Sequence, residues 1–118
     1  MARRPRKEDG WEPPKVVWIA SCPWVVKSGP ETDAILEGLK QVGLMDPHVQ
    51  ELSLRMRGIP DPERMITLWH EIIHALLYNS GLLHLICTDD KEEEALVQAL
   101  GGMVYQVLIE NEWWTVGG

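Results

Sequence analysis

The chain has 118 residues, enough for one domain with a single core, and its hydrophobic and charged fractions of 45% and 25% are those of a globular protein. Its formal net charge of −7 argues against a nucleic-acid-binding surface, because such surfaces cluster Lys and Arg. No apolar run approaches the roughly 20 residues that a membrane span requires.

The N-terminus is basic although the chain as a whole is acidic. Residues 1–14 contain four cationic side chains and no apolar stretch that would make a secretory signal: Arg3, Arg4, Arg6 and Lys7. We therefore predict a flexible basic tail over 1–14 and a single domain over 15–118. Without an export signal, we expect a cytoplasmic protein in which Cys22 and Cys87 are thiols, although spacing alone does not decide whether they pair.

The first elements predicted along the chain are a strand and a helix. Residues 15–20 (KVVWIA) are β-branched and aromatic and predict a buried strand, which residues 24–26 extend after a break. Pro30 suits the first position of a helix over 30–43, which Gly43 ends. Its apolar residues recur at helical spacing: Ile35, Leu36, Leu39 and Val42.

A second strand is predicted over residues 52–57. Three apolar residues alternate there with three polar ones, which is typical of a strand with one buried face: Leu52, Leu54 and Met56 against Ser53, Arg55 and Arg57. The two outward arginines are typical of an exposed sheet edge.

Two helices are predicted in the C-terminal half. Asp61-Pro62-Glu63 is a strong helix start and Gly81 a natural stop, and the segment between them is apolar nearly all round, which predicts a buried helix. A last helix begins at a cap formed by Thr88, Asp89 or Asp90 and ends near 110–112. It contains Gly101-Gly102, which we expect to allow close approach to the preceding helix.

The buried helix contains His70-Glu71-Ile72-Ile73-His74, an HExxH motif. Histidines at i and i+4 lie one turn apart on one helical face, so both imidazoles can bind one zinc ion. Glu71 lies beside them and can act as general base toward a metal-activated water. Uncompensated burial of three polar groups would cost several kcal/mol, which favours the metal interpretation over core histidines with ordinary partners.

A third protein ligand is needed to complete such a site. His84 lies ten residues after His74, but the glycine turn that usually accompanies a third histidine (HExxHxxGxxH) is missing from residues 78–82. The other candidates open the last helix, where acids also stabilise the positive end of the helix dipole: Glu92, Glu93 and Glu94.

The segments LWHEIIHALLYNSGL and KEEEALVQALGGMVYQVLIEN resemble the small phage-encoded zincin-like metallopeptidases and, more distantly, the gluzincins and the ImmA/IrrE-type proteases. The resemblance covers about residues 48–112. It implies a minimal zincin-like α+β fold, in which a small, mostly antiparallel sheet packs on the HExxH helix and a C-terminal glutamate-bearing helix. It also implies one zinc ion held by His70, His74 and Glu94, with Glu93 as the alternative third ligand.

The predicted function is zinc-dependent hydrolysis of peptide bonds, with a peptide or protein substrate extended along strand 52–57. Gln98 stands where gluzincins carry an acidic residue that supports the site, and the residue that assists the oxyanion is open between Tyr78 and Tyr105. Two alternatives keep the zinc ion: a catalytically silent domain that binds a protein partner, and a regulatory protease with one protein substrate. A third is an interaction module without metal.

Overall fold

A computed structural model describes residues 11–80 and 89–111, apart from the side chain of Ile109. Its four strands and three helices follow in chain order: β1 (Val16–Ile19), β2 (Cys22–Lys27), α1 (Pro30–Leu39), β3 (Gly43–Asp46), β4 (Glu51–Leu54), α2 (Asp61–Ser80) and α3 (Asp90–Glu110). The predicted α+β class is confirmed. Across these described ranges, no helix is long and apolar enough to cross a membrane.

The four strands form one mixed sheet in the order β1-β2-β4-β3. The β1–β2 and β3–β4 pairs are antiparallel, whereas β2 and β4 run parallel. The parallel pair is possible because α1 and β3 lie between β2 and β4 in the chain and provide the crossover. Among the strands of the described residues, β1 and β3 therefore lie at the two edges of the sheet.

The prediction that residues 52–57 form an edge strand is wrong. Its strand is β4, which ends at Leu54 and pairs with β2 on one side and β3 on the other. The predicted alternation is correct within the strand, since Leu52 and Leu54 are fully buried. Arg57 does not blunt an edge; its Nε and Nη2 donate to the carboxylate of Glu37 in α1 at 2.9 and 2.8 Å.

The hairpin of β1 and β2 corrects the prediction of one buried strand. The chain reverses at Ala20 and Ser21, which both have positive φ, so β1 and β2 are separate antiparallel strands. β1 lies at the sheet edge with one face in solvent, and the side chain of Trp18 is 70% exposed. Trp24 in β2 is fully buried.

Helix α1 is shorter than the predicted helix over 30–43. Pro30 occupies the first turn as expected, but the helix ends at Leu39 because Lys40 adopts a left-handed conformation with φ 59°. Gly43 then begins β3 rather than ending a helix. Of the predicted apolar stripe only Leu36 is buried.

The main core lies between the sheet and one face of α2. The buried residues of this cluster come from the N-terminal segment, three strands and the helix: Trp11, Ile19, Trp24, Val26, Leu52, Leu54, Met65, Leu68, Ile72 and Ala75. A second cluster joins α2 to α3 through Ile73, Leu77 and Val97. Helix α2 is therefore covered on two faces, which explains why its sequence is apolar nearly all round.

Residue 11 belongs to the folded domain rather than to a free tail. Trp11 is buried in the main core, and its carbonyl accepts a hydrogen bond from Arg64 Nη1 at 3.3 Å. Arg64 Nη2 also donates to the carbonyl of Met56 at 2.6 Å, so this side chain ties two segments to α2. Residues 1–10 of the predicted tail lie outside the described residues, and residues 12–14 are described but form neither helix nor strand.

The predicted close approach of α3 to α2 occurs at Gly101. A Cβ atom on this residue would lie 3.5 Å from both Cα and N of His70, an ordinary van der Waals contact, so alanine fits there. At Gly102 a Cβ atom would have no neighbour within 4 Å. Gly101 thus brings the backbone of α3 against the HExxH segment.

Gly101→Leu is therefore expected to destabilise the protein by about 1–3 kcal/mol, because the added side chain pushes α3 away from His70. Gly102→Leu is the matched control: it removes a helical glycine where space is open, and its effect should be neutral or stabilising by up to about 1 kcal/mol. Urea unfolding of both variants measures the difference, and equal stabilities would show that the contact at Gly101 does not constrain the helix pair.

Candidate metal centre

Helix α2 presents the two histidines of the HExxH motif on one face. Their rings lie 4.9 Å apart between centroids at an interplanar angle of 64°, and the two Nε2 atoms are 3.3 Å apart. The i, i+4 spacing produces this proximity because residues one turn apart project from the same side of a helix. Both Nε2 atoms therefore face a common point.

The N-terminal part of α3 brings Glu94 to the same point. Asp89 caps this helix, since its Oδ1 accepts a hydrogen bond from the backbone N–H of Glu92 at 2.8 Å. Glu94 Oε1 lies 2.5 Å from His70 Nε2, and Oε2 lies 3.1 Å from His74 Nε2. Ligand atoms of the three side chains all lie within 4.8 Å of one another.

Glu93 lies on the opposite side of the His74 ring. Its Oε2 is 2.6 Å from His74 Nδ1, the nitrogen that does not face Glu94. The two consecutive glutamates thus contact the two different nitrogens of one imidazole. Of the two candidate glutamates, Glu94 lies next to the Nε2 atoms of both histidines. Glu93 contacts only the Nδ1 atom of His74.

Glu71 is buried next to this cluster. Its residue is only 6% exposed, and burial raises the pKa of its carboxyl to about 7, with His74 opposing the shift and Glu94 adding to it. β3 passes directly over it: a Cβ atom on Gly43 would lie 2.8 Å from Glu71 Oε2 and 2.7 Å from Thr67 Cγ2. Only glycine fits at position 43 without displacing one of these side chains.

Burial also affects His70. It lowers the pKa of this imidazole, with Glu94 opposing the shift and His74 adding to it. The neutral imidazole is the form that binds metals, so burial favours the ligand form of His70.

The ligand types and the spacing of the two histidine nitrogens fit a zinc ion, whereas Glu94 Oε1, 2.5 Å from His70 Nε2, lies closer than two ligands of one zinc ion would. Two ligand atoms about 2.0–2.1 Å from one ion, at the tetrahedral angle, lie about 3.3 Å apart. The Nε2 atoms of His70 and His74 are at that separation, 3.3 Å. Two imidazole nitrogens and one carboxylate oxygen are also a ligand set that catalytic zinc sites use.

The cluster lies in a cleft of about 640 Å³, a volume within the usual range for ligand sites. One wall is α2 with the start of α3, and the other is the segment from the end of α1 through β3. The lining residues are Lys40, Gln41, Val42, Gly43, Leu44, Met45, Ile66, Thr67, His70, Glu71, His74, Glu94 and Gln98. The sheet edge at β3 therefore borders the candidate metal centre.

Other predicted site residues are not brought to the cluster. Glu92 is exposed and does not belong to the group of possible ligands. Tyr78 is exposed and Tyr105 packs against the main core, so neither lines the cleft. Gln98 does line it. His84 lies outside the described residues.

The cysteine prediction is likewise untested. Cys22 is half-buried in β2. Cys87, with which it would pair, lies outside the described residues.

Eight cleft residues were not predicted to belong to the site: Lys40, Gln41, Val42, Gly43, Leu44, Met45, Ile66 and Thr67. Gly43 was interpreted as a helix stop, although it begins the strand that covers Glu71. The short segment 43–46 (GLMD) lacks the alternation that would reveal a strand. The one signal for this strand in the sequence is Gly43 directly before the apolar pair Leu44-Met45, because a glycine in a strand can mark close approach of another group.

Comparison with known proteins gives no relative: no protein-family model, curated protein or solved structure matches the chain. The residues of the cleft and their geometry therefore carry the functional inference.

Proposed function

We propose that the protein is a zinc-dependent metallopeptidase with a minimal zincin-like fold. His70, His74 and Glu94 hold one zinc ion, and Glu71 is the general base. The observation that carries this proposal is the convergence of three ligand atoms within 4.8 Å beside a buried carboxylate, in a cleft bordered by a sheet edge.

Three protein ligands distinguish such a site from a structural zinc site, which is usually closed by four. The fourth position is left for water or substrate. Zinc, when bound, lowers the pKa of water and polarises a carbonyl group. The ligands come from two helices that lie in close contact at Gly101.

Glu71 supplies the proton transfers. Its carboxylate takes a proton from the attacking water, and the resulting acid delivers that proton to the leaving amine. Its burial beside His74 and Glu94 gives it a pKa of about 7, near the value at which one group can both accept and donate a proton at neutral pH. The backbone at Gly43 lies close to the carboxylate and limits where it can lie.

The substrate in this proposal is an extended peptide or a protein segment that pairs with β3. The sequence assigned this role to residues 52–57, but β4 has both edges paired, whereas β3 is the last strand of the sheet within the part of the chain that the structure describes. Backbone groups of an edge strand are available to a further strand. Gly43, Leu44 and Met45 line the same cleft as the histidines, so a peptide on this edge would pass the metal centre.

Hydrolysis of a peptide library by zinc-loaded protein tests this function. Cleavage is expected to stop when a chelator removes the metal and to return when zinc is restored. A silent zinc-binding domain would bind zinc and cleave nothing. A regulatory protease would leave the library intact and cleave one protein, and Glu71→Gln would trap that protein for identification.

Gly43→Ala is expected to slow peptide hydrolysis by about 100-fold while zinc remains bound. The new methyl group would overlap Glu71 Oε2 and Thr67 Cγ2, and a displacement of about 1 Å in a reacting group can produce a loss of that size. Steady-state kinetics and metal analysis of the same preparation separate the two effects.

Gly38→Ala is the matched control, because a Cβ atom on Gly38 in α1 would have no neighbour within 4 Å. This variant should keep wild-type activity. If Gly43→Ala also hydrolyses peptides at the wild-type rate, the contact between β3 and Glu71 does not position the base.

A further inference from the structure

We propose that Glu93 is a positioning residue that holds His74 in the orientation and tautomer that bind zinc, and that it thereby sets the affinity of the site. This inference rests on the proposed function, since it assumes that His74 is a ligand. It concerns a residue that the sequence offered only as an alternative ligand.

The geometry separates the roles of the two glutamates. Glu93 Oε2 lies 2.6 Å from His74 Nδ1, while Glu94 Oε2 lies 3.1 Å from His74 Nε2. A single imidazole cannot bind one ion through both nitrogens, because they point away from each other. The nitrogen shared with His70 and Glu94 is therefore the ligand atom, and Nδ1 is left to donate its proton to Glu93.

The burial of the two carboxylates supports this division. The side chain of Glu93 is 17% exposed, whereas that of Glu94 is 55% exposed and borders the cleft. An acid that merely compensates a helix dipole can remain in water. Glu93 is instead largely withdrawn from solvent against a ring nitrogen, where a charge-assisted hydrogen bond offsets the desolvation of the carboxylate.

Glu93 supplies the carboxylate that an acidic residue at position 98 would otherwise provide. Gln98 lines the cleft, but the carboxylate that contacts a histidine comes from Glu93, one residue before Glu94. Over residues 11–80 and 89–111, His70 Nδ1 has no comparable acid partner. Among the described residues, His74 is thus the histidine of the motif whose Nδ1 contacts a carboxylate.

A carboxylate in this position acts on metal binding in two ways. It fixes the tautomer with the proton on Nδ1, which leaves the lone pair of Nε2 free for the metal, and it increases the basicity of the ring. Loss of such a partner typically weakens metal affinity by about 10- to 100-fold.

The test is the zinc dissociation constant, measured by competition with a chromophoric chelator. Glu93→Gln is expected to bind zinc about 10- to 100-fold more weakly than wild type. Asp90→Asn removes the same charge from an exposed residue in the same first turn of α3 and should change the affinity by less than about twofold. Glu93→Asp keeps the charge but shortens the reach, so it should also bind more weakly than wild type.

A spectroscopic readout separates positioning from general loss of structure. In zinc-loaded wild type, the Nδ1 proton of His74 should give a downfield, slowly exchanging NMR resonance, and in Glu93→Gln this resonance should move upfield. Thermal unfolding of the metal-free variants shows whether they fold as wild type does. Glu93→Asp provides the measurement if Glu93→Gln does not fold.

Failure of the inference about Glu93 and failure of the proposed zinc site give different results. Wild-type affinity in Glu93→Gln, or equal weakening in Asp90→Asn, overturns the inference and leaves the zinc site intact. Complete loss of zinc from Glu93→Gln with retention by Glu94→Gln overturns it too, because Glu93 would then be the ligand. Absence of zinc binding by the wild type overturns the proposed function itself.

Discussion

Glu71→Gln is expected to lower the rate of peptide hydrolysis by about 100- to 10,000-fold, the usual contribution of a general base. Glutamine has nearly the same shape as glutamate, so the close approach to Gly43 is kept. The amide cannot accept the proton of the attacking water. Zinc stoichiometry should be unchanged, because Glu71 is not among the three clustered ligands. Kinetics on any cleaved peptide, with metal analysis of the same sample, measures both quantities.

Glu63→Gln is the matched control for that experiment. Glu63 lies on the same helix two turns earlier and is exposed, so its replacement removes the same charge without touching the cleft. It should retain wild-type activity. Undiminished hydrolysis by Glu71→Gln would exclude Glu71 as the base and would direct attention to another acid at the cleft.

Glu94→Gln is expected to remove most of the stabilisation that zinc gives to the fold. At free zinc 100-fold above the dissociation constant, a ligand that binds only the native state stabilises wild type by about 2.7 kcal/mol. If loss of the carboxylate weakens binding about 100-fold, the same zinc concentration stabilises the variant by only about 0.4 kcal/mol. Thermal unfolding with and without zinc measures this difference.

Glu110→Gln tests whether the effect is local. Glu110 is exposed at the other end of α3, so its variant should respond to zinc as wild type does. His48→Ala provides a second control for adventitious binding, because His48 is exposed and lies outside the ligand cluster. An undiminished zinc response in Glu94→Gln would mean that the third ligand is another residue.

The helices of the C-terminal half were predictable because their signals are local. Asp61-Pro62 and Gly81 predict α2 to within a residue of its observed bounds, Asp61–Ser80. The motif spacing alone places His70 and His74 on one face, since helix geometry fixes that relation. A glycine pair predicted the close approach of α3, and the structure assigns that contact to Gly101.

The order of the strands could not be predicted, because it depends on pairing between distant segments. Alternation in residues 52–57 indicates one buried face, but it is the same for an edge strand and an interior strand. The position of β4 depends on β3, a four-residue strand with no periodic signal. For the same reason β1 was expected to be buried, although Trp18 is exposed at the sheet edge.

The residues alone did not separate Glu93 from Glu94, although the family resemblance favoured Glu94 as the third ligand. Consecutive residues of a helix point about 100° apart, so only one of them can face the two histidines. Which one does so depends on the rotation of α3 about its axis, set by the packing of Val97 and Gly101 against α2. That rotation is a tertiary property and no local motif encodes it.

The central claim is a zinc ion on His70 and His74, and metal content tests it most directly. Wild type and His74→Ala are loaded with zinc at neutral pH, desalted and measured by mass spectrometry of the metal. We expect about one zinc ion per chain in wild type and none in His74→Ala, with His48→Ala retaining the metal. No bound zinc in wild type, or equal zinc in wild type and His74→Ala, would contradict the metal centre and with it the peptidase function.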